Sequence, residues 1–272
     1  MAMNKTMRVG IAGLGAVGLD VARRLIDGDV PGVTLAAVAI RDADKARRAL
    51  PQLGDAIALR TLATIADDCD LVVECLPPAR FRDIAVPAID KGLLFMPLSA
   101  AQLLDNGDLI ERAKNTGARI LVPSGALIGF DAVRAAAEGE IHSVKMVTRK
   151  PPKGLEGAPY LVENNISVRD IKSPLKVFDG TAREGARGFP ANLNVAAALS
   201  LAGIGPDRTQ LEIWADPIVT RNTHTITVEA DATRFTMTIE SVPSANPRTG
   251  KLVAPSVVAA LRGLVSELKV GS

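Results

Sequence analysis

The stretch GLGAVG at residues 13–18 constrains the fold more than any other part of the sequence. It directly follows the short apolar run MRVGIA and opens the amphipathic segment AVGLDVARRLID, so a strand, a turn and a helix are predicted in succession. In such a unit Gly13 permits the tight turn, Gly15 lets the backbone approach a pyrophosphate, and Gly18 lets helix and strand pack closely. The helix N-terminus adds free N–H groups and the positive end of the helix dipole. A GxGxxG pattern alone is weak, and a glycine-rich turn is the alternative, but the context predicts a dinucleotide-binding loop with contacts from Gly13, Gly15, Ala16, Val17 and Gly18.

The pattern of strands and helices predicts two domains. Up to residue 125, apolar strands alternate with amphipathic helices, which predicts a Rossmann-type, doubly wound parallel sheet of the α/β class. Beyond it, we expect a crossover helix, a long loop or lid over 151–175, two helices separated by Phe189-Pro190, and β-rich segments joined by short turns. These elements predict a second α+β domain with a mainly antiparallel sheet. The expected division is a dinucleotide-binding domain at 1–130, a catalytic, substrate and oligomerisation domain at 131–250, and a helix within about 251–272 that could pack back on the first domain.

The composition narrows the classes of partner. A formal net charge of +2 over 272 residues gives no reason to expect nucleic acid or an anionic membrane. No apolar run is long enough to span a bilayer, and the N-terminus carries no secretory pattern. The two cysteines, Cys69 and Cys75, fit no metal-site spacing, so we expect no metal and a cytoplasmic location. An open antiparallel sheet in the second domain would favour a homodimer through that sheet.

The end of the second predicted strand bears on the choice of cofactor. An acidic residue at this position usually binds the adenosine ribose hydroxyls of NAD. Here the strand ends VAIRDADKAR, with Arg41 near that position and Asp42 after it. Arg41 could accept a 2′-phosphate, which favours NADP or the use of both NAD and NADP, whereas a solvated Arg-Asp pair is the alternative.

The chain contains two histidines, and one of them is a candidate acid/base group. Histidine suits that role because its ordinary pKa of about 6.5 lets it gain or lose a proton near neutral pH. His142 begins a strand with no other polar group predicted to converge on it. His224 also begins a β-type alternation, but Asp216, Arg221 and Asn222 are its near neighbours in the sequence. A histidine that simply starts a strand is the alternative for His224.

Four stretches of the second half resemble the L-aspartate dehydrogenase family: PSGALIGFDAVRAA, DGTAREGARGFPANLNVAAALSLAGIGPDRT, ADPIVTRNTH and SANPRTG. Together with GLGAVG and LVVEC, the resemblance covers nearly the whole chain. It implies oxidation of L-aspartate to iminoaspartate with NAD or NADP, and the reverse amination of oxaloacetate. It also implies that the catalytic histidine is His224 and that Ala126 and Asn194 contact the nicotinamide.

A dicarboxylate or amino-acid substrate would also require cationic side chains. The candidates are Lys150, Arg183 and Arg221, with Arg149 beside them, and a surface charge is the alternative for each. Two other functions stay open: an NAD(P)-dependent reductase of another oxo or imino acid or a small aldehyde, and a non-catalytic dinucleotide-binding regulator. The chain has no adjacent histidine pair of the dihydrodipicolinate reductase type, and both cysteines precede residue 76, so it lacks the second-domain thiol of a phosphorylating semialdehyde dehydrogenase.

Overall fold

A computed structural model describes residues 6–51, 53, 56–125, 127–190, 193–242 and 250–270. The chain divides into two compact units. The first comprises Met1–Pro123 and Ala254–Lys269, and the second comprises Ser124–Val253 and Val270–Ser272. The predicted boundary lies at residue 130, seven residues beyond this division. Among the described residues, no helix is both long and apolar enough to cross a membrane.

The first unit is built on a parallel sheet, as predicted, with six strands among the described residues. The strands and helices in chain order are β1 Met7–Ala12, α1 Ala16–Ile26, β2 Val33–Ala39, α2 Ala43–Ala49, β3 Ala58–Arg60, β4 Leu71–Glu74, α3 Phe81–Asp90, β5 Leu94–Pro97, α4 Asp108–Thr116 and β6 Arg119–Ile120. The strand order is β3-β2-β1-β4-β5-β6, and all five pairings are parallel. The order reverses between β1 and β4, and ligands of such sheets bind at the carboxyl ends of the strands at this point. The short strand β3 is absent from the sequence prediction because three residues give too few alternations to recognise.

Both faces of this sheet are covered, which explains why its strands are apolar without alternation. In β1, Val9, Ile11 and Ala12 are fully buried. One face packs against α1 and the C-terminal helix Val253–Val265, and the other packs against α3 and α4. The C-terminal segment Ala254–Lys269 thus belongs to the first unit.

The second unit contains a five-stranded sheet covered by helices. Its elements are α5 Phe130–Ala137, β7 Ile141–Lys150, α6 Pro159–Glu163, β8 Leu175–Thr181, α7 Ala182–Gly188, α8 Asn194–Ala202, β9 Thr209–Ala215, β10 Asn222–Ala230 and β11 Arg234–Ser241. The strand order is β11-β10-β7-β9-β8. Three of the four pairings are antiparallel, which confirms the predicted class, but β7 and β9 are parallel. The predicted pair of helices around Phe189-Pro190 corresponds to α7 and α8.

Two details of the second unit correct the sequence prediction. The segment 151–175, predicted as a loop or lid, contains the short helix α6 and a 3-10 turn at Pro152–Gly154. The edge strand β8 was missed, because the segment preceding it is rich in Pro, Gly and Asn and because a register irregularity interrupts the strand between Lys176 and Phe178. Both segments pack on the core of the unit through Leu155, Leu161 and Phe178.

The two faces of the second sheet differ in chemistry, and this difference positions the polar groups described below. Along the central strand β7, Val144, Met146 and Thr148 are fully buried on the face that the helices cover. Lys145, Val147 and Arg149 alternate with them and are more exposed. Because successive strand residues point to opposite faces, every second residue of β7 belongs to the helix-covered face.

Candidate active site

The glycine-rich loop of the first unit has the geometry that a dinucleotide requires. Gly13 adopts a left-handed conformation with φ of 95°, and a Cβ there would lie 2.7 Å from the carbonyl oxygen of Cys75. A Cβ on Gly18 would lie 2.0 Å from the carbonyl oxygen of Gly13, so only glycine permits the observed packing of α1 against the loop. Gly15 is different, because a Cβ there would meet no atom within 4 Å. Gly15 and Ala16 are exposed at the start of α1 and Val17 is partly exposed, which leaves room for a phosphate group.

Two charged residues follow β2: Arg41, which is exposed, and Asp42, whose carboxylate is hydrogen-bonded. Arg41 is exposed and follows the strand by two residues. The carboxylate of Asp42 is the N-cap of α2 and accepts a hydrogen bond of 2.9 Å from the backbone N–H of Lys45. This hydrogen bond is the leading reason why the pKa of Asp42 is lowered. Asp42 therefore caps α2, and the exposed Arg41 stays a predicted candidate for contact with a ribose or its phosphate.

A buried carboxylate connects two loops at the same edge of the sheet. Glu74, the last residue of β4, is fully buried and accepts hydrogen bonds from the backbone N–H of Leu76 at 2.7 Å and of Ser99 at 2.9 Å. The Ser99 hydroxyl donates a third, at 3.1 Å. Burial raises the pKa of Glu74, while these hydrogen bonds oppose that effect. Sequence reasoning assigned no role to Glu74 within LVVEC, although a glutamate in an apolar run is itself a signal of a buried and hydrogen-bonded acid.

His224 lies on the helix-covered face of the second sheet and is only 3% exposed. It stands directly opposite Thr148 in the antiparallel pairing of β10 with β7. Its Nδ1 is 3.1 Å from Thr148 Oγ1, and the hydroxyl can donate to or accept from this nitrogen depending on the tautomer. Because this hydrogen bond fixes the ring through Nδ1, Nε2 is the nitrogen available to a reacting group. The other histidine, His142, is exposed and lies 2.9 Å from Asp231 Oδ1.

Lys150 lies two residues beyond Thr148 on the same face and is 3% exposed. Burial lowers the pKa of its ammonium group to about 8. Burial also lowers the pKa of His224 to about 3, and the nearby charge of Lys150 contributes to that shift. The imidazole is therefore neutral near pH 7, and an anion arriving beside these two groups would favour the protonated form of both.

The remaining candidate cations have carboxylate partners elsewhere. Arg183 forms a two-point ion pair with Asp207, with Nε–Oδ1 at 2.6 Å and Nη2–Oδ2 at 2.9 Å. Arg149 points to the outer face of the sheet, where it pairs with Asp216 at 3.1 Å and lies over the ring of Trp214 at 4.7 Å.

Arg221 immediately precedes β10 and lies 3.8 Å from Glu240, with both side chains more than half exposed. Of the cations considered from the sequence, the structure brings only Lys150 onto the buried face beside His224 within the described residues. Arg183 and Arg221 stay predicted candidates, each with an ion pair elsewhere, whereas Lys150 lies beside the buried imidazole.

Of the two residues predicted to contact the nicotinamide, Asn194 lies within the described part of the structure and Ala126 does not. Asn194 is the first residue of α8 and is partly exposed, as expected for a side chain in the first turn of that helix.

Sequence reasoning missed two polar residues of the buried face, Thr148 and Ser241, and noted a third, Asn222, only as a sequence neighbour of His224. Asn222 pairs with Ser241 across β10 and β11, and the two are 7% and 5% exposed. Strand alternation could in principle have indicated their burial, since all three occupy strand positions whose neighbours are more exposed. Only the strand register, which the sequence does not reveal, places them beside His224 and Lys150.

Two family models match the chain. The model described as the C-terminal domain of aspartate dehydrogenase matches residues 131–264. The model described as the NAD-binding domain of homoserine dehydrogenase matches residues 13–123. The two matches together span both the glycine-rich loop and the sheet that carries His224.

Full-length relatives give a more specific assignment. The chain is 53% identical to the L-aspartate dehydrogenase of Bradyrhizobium diazoefficiens, over 98% of this chain and 94% of the relative. It is 48% identical to L-aspartate dehydrogenase 3 of Bordetella bronchiseptica, over 100% of both chains. The crystal structure of aspartate dehydrogenase from Thermotoga maritima supports the fold, with a TM-score of 0.73, 23% identity, and coverage of 97% of this chain and 99% of that one. By these relatives and by the family model over its second half, the chain belongs to the L-aspartate dehydrogenase family.

Proposed function

We propose that the protein is an NAD(P)-dependent dehydrogenase that oxidises L-aspartate to iminoaspartate and catalyses the reverse amination of oxaloacetate. The observation that carries the proposal is the buried group of His224, Thr148 and Lys150, which lies in a chain about half identical to curated L-aspartate dehydrogenases. The buried cation suits a substrate with carboxylates, and the neutral imidazole suits a substrate that exchanges a proton during the reaction. A purely structural domain would gain nothing from burying these groups.

His224 acts as the acid/base group in this proposal. Oxidation of aspartate removes a hydride from Cα and a proton from the amino nitrogen, leaving a C=N bond. Water then adds to that bond, and release of ammonia gives oxaloacetate. A neutral imidazole can accept a proton at Nε2 during these steps and return it in the reverse direction, since its pKa near 3 keeps it unprotonated before substrate binds.

Lys150 binds a carboxylate of the substrate. Its pKa near 8 leaves the ammonium form predominant at neutral pH, although burial penalises that form. A substrate carboxylate would offset this penalty, and the attraction would be strong because the side chain is withdrawn from water. Binding of the dicarboxylate is thereby linked to the protonation of Lys150.

The glycine-rich loop supports binding of NAD or NADP, since its geometry leaves the space at Gly15 open and supplies the N-terminus of α1. When bound, the nicotinamide accepts or delivers the hydride. We assign Ala126 and Asn194 to the nicotinamide on the strength of the family resemblance. Arg41 supports use of NADP, because the neighbouring carboxylate of Asp42 is occupied as a helix cap.

The proposed reaction is tested by following NADH and NADPH oxidation with oxaloacetate and ammonia, in parallel with other oxo acids and small aldehydes. We expect the highest kcat/KM with oxaloacetate. A higher value with a different oxo acid or aldehyde would instead favour the alternative reductase, and cofactor binding with no turnover on any of them would favour a regulator. Running the assay with Arg41→Ala separates the cofactors, since loss of a phosphate contact should raise the KM for NADPH and leave that for NADH unchanged.

The role of His224 is tested by His224→Ala. Without the acid/base group, kcat should fall about 100-fold or more, while the Kd for NADPH stays unchanged because the glycine-rich loop is intact. His142→Ala is the matched control, because it removes the chain's other histidine from an exposed position. Equal activity of the two variants would refute the assignment.

We also propose a cytoplasmic homodimer. Both cysteines are free thiols, which is ordinary for a protein of a reducing compartment. The helices of the second unit cover one face of its sheet, and a second copy packed on the other face would cover the half-buried Val147 and Trp214.

A further inference from the structure

Three polar side chains form a transverse line at one end of the helix-covered face of the second sheet. We call Lys150, Asn222 and Ser241 the polar row. Asn222 pairs with Ser241. The pairing of Thr223 with Arg149, continued by one residue, places Lys150 opposite Asn222 on the other side. The next line on the same face contains His224 and Thr148, which lie two residue pairs away because the pair Thr223–Arg149 between them points to the other face.

Ser241 is the unusual member of the row. Its side chain is 5% exposed, and among the described residues its Oγ is the buried side-chain polar atom that has no hydrogen-bond partner. Nearly all buried hydroxyls in folded proteins are hydrogen-bonded, because leaving one unpaired destabilises the fold. Valine or alanine would fill this strand position without that penalty. An unpaired hydroxyl beside a buried cation therefore points to a ligand that supplies the missing partner.

The charges around the row favour an anionic ligand. Lys150 contributes a buried ammonium group on this face. The nearest acid along β9, Asp216, is neutralised by Arg149 at 3.1 Å and accepts a hydrogen bond of 2.9 Å from the backbone N–H of Ile218. Glu240 alternates with Ser241, so it points to the other face, where it lies 3.8 Å from Arg221.

We propose that the polar row is a carboxylate subsite, in which the Ser241 hydroxyl and the Asn222 amide donate hydrogen bonds to one carboxylate whose charge is balanced by Lys150. This inference rests on the proposed function in one respect, that the natural ligand is aspartate or oxaloacetate. One carboxylate held by this row would lie on the same face as His224, two residues along the strands, which orients the dicarboxylate for proton transfer. Ser241 and Asn222 are binding residues in this scheme and take no part in the proton transfer itself.

The proposal predicts an unusual combination for Ser241→Ala. The KM for aspartate should rise about tenfold, as expected for loss of a hydrogen bond to a charged group, while kcat changes less than threefold. The melting temperature should stay equal or rise, because the variant removes an unpaired buried hydroxyl. Ser200→Ala is the matched control: Ser200 is also fully buried in this unit, but its hydroxyl donates to the carbonyl of Ala197 at 2.8 Å. The melting temperature of Ser200→Ala should fall, while its KM for aspartate should equal that of the wild type.

Succinate provides a second measurement that does not depend on turnover. Succinate should raise the melting temperatures of the wild-type protein and of Ser200→Ala by similar amounts. The rise for Ser241→Ala should be several-fold smaller. If the wild type fails to oxidise aspartate, the proposed function fails, and the succinate comparison still decides the subsite. An unchanged KM in Ser241→Ala, or equal stabilisation of all three proteins by succinate, would overturn the inference.

Discussion

At the scale of single residues, the chemistry of His224 depends on a neighbour that does not react. Thr148 Oγ1 is 3.1 Å from Nδ1, and both side chains are buried on the same face. A threonine hydroxyl can either donate to Nδ1 or accept from it, so it supports both tautomers of the neutral ring. In the proposed mechanism Nε2 accepts a proton in one direction and donates it in the other, and in both directions Nδ1 keeps its own proton and donates it to Thr148 Oγ1. Thr148 is thus a positioning residue that orients the imidazole.

Replacing Thr148 by valine keeps the shape of the side chain and removes its hydroxyl. Nδ1 then loses its partner inside the protein, so the ring is no longer oriented and kcat should fall about 10- to 100-fold. Thr148→Ser restores the hydroxyl and should remain within a few-fold of the wild type. The readouts are kcat, KM for aspartate and the pH dependence of kcat/KM, which should shift only in the valine variant.

Thr225→Val serves as the control, since Thr225 lies on the outer face of the same strand as His224 and bonds Thr238 at 3.0 Å. It removes an equivalent hydroxyl without touching the buried face, so its activity should match the wild type. A serine variant as impaired as the valine variant would show that Thr148 acts by packing alone.

At the residue scale the sequence revealed the groups with rare chemistry and missed the common ones. His224 could be singled out because the chain has two histidines, and Lys150 because a dicarboxylate needs a cation. Thr148 and Ser241 could not, since threonine and serine occur along the whole chain without a functional meaning, and Asn222 was noted only as a sequence neighbour of His224. Their significance comes from burial and from the strand register, and both are products of tertiary packing.

At the scale of elements, the glycine-rich loop shows how two similar residues can have separable functions. Gly18 is required by the protein's own packing, because a Cβ would lie 2.0 Å from the carbonyl oxygen of Gly13. A Cβ added to Gly15 would meet no atom within 4 Å. The φ of −76° at Gly15 is one that alanine adopts without strain. The space next to Gly15 is therefore open, and in the proposed function the pyrophosphate of the cofactor occupies it.

This difference predicts opposite effects for two alanine substitutions. Gly15→Ala should keep the free energy of unfolding within about 0.5 kcal/mol of the wild type, while its methyl group obstructs the pyrophosphate and raises the KM for NADPH about tenfold or more. Gly18→Ala should lower the free energy of unfolding by about 3 kcal/mol or more, because loop and helix must separate. Urea denaturation and cofactor titration measure both. A destabilised Gly15→Ala protein with unchanged cofactor affinity would contradict this interpretation.

Helices and strands with a clear hydrophobic periodicity could be predicted from the sequence, whereas the pairing of distant strands could not. Apolar β1 and the amphipathic α1 were readable from periodicity, as were α7 and α8 around Phe189-Pro190. The parallel pairing of β7 with β9 was not, because neighbouring strands in a sheet are chosen by long-range packing and leave no local trace.

At the scale of the whole molecule, the outer face of the second sheet is the feature that bears on assembly. Thr225 and Thr227 of β10 face Thr238 and Thr236 of β11, which gives this side of the sheet a flat row of short side chains. Val147 lies near its centre, paired with Thr225 on one side and Glu212 on the other. A flat surface of this kind can pack against its own copy about a twofold axis.

A charge at the centre of that surface should prevent self-association. Val147 is only half-buried on the outer face, so the Val147→Lys protomer should fold, and Glu212 opposite it is already paired with Lys145 at 2.8 Å. Two copies would therefore bring uncompensated like charges together across the twofold axis. Light scattering on the wild type should give twice the 28.5 kDa of the chain, and on Val147→Lys a mass near that of one chain. Ile218→Lys is the matched control, because Ile218 is 74% exposed and lies between β9 and β10, outside the strands, and it should stay dimeric. A monomeric wild type at micromolar concentration, or a dimeric Val147→Lys, would show that the outer face of the sheet is not the surface through which this chain assembles.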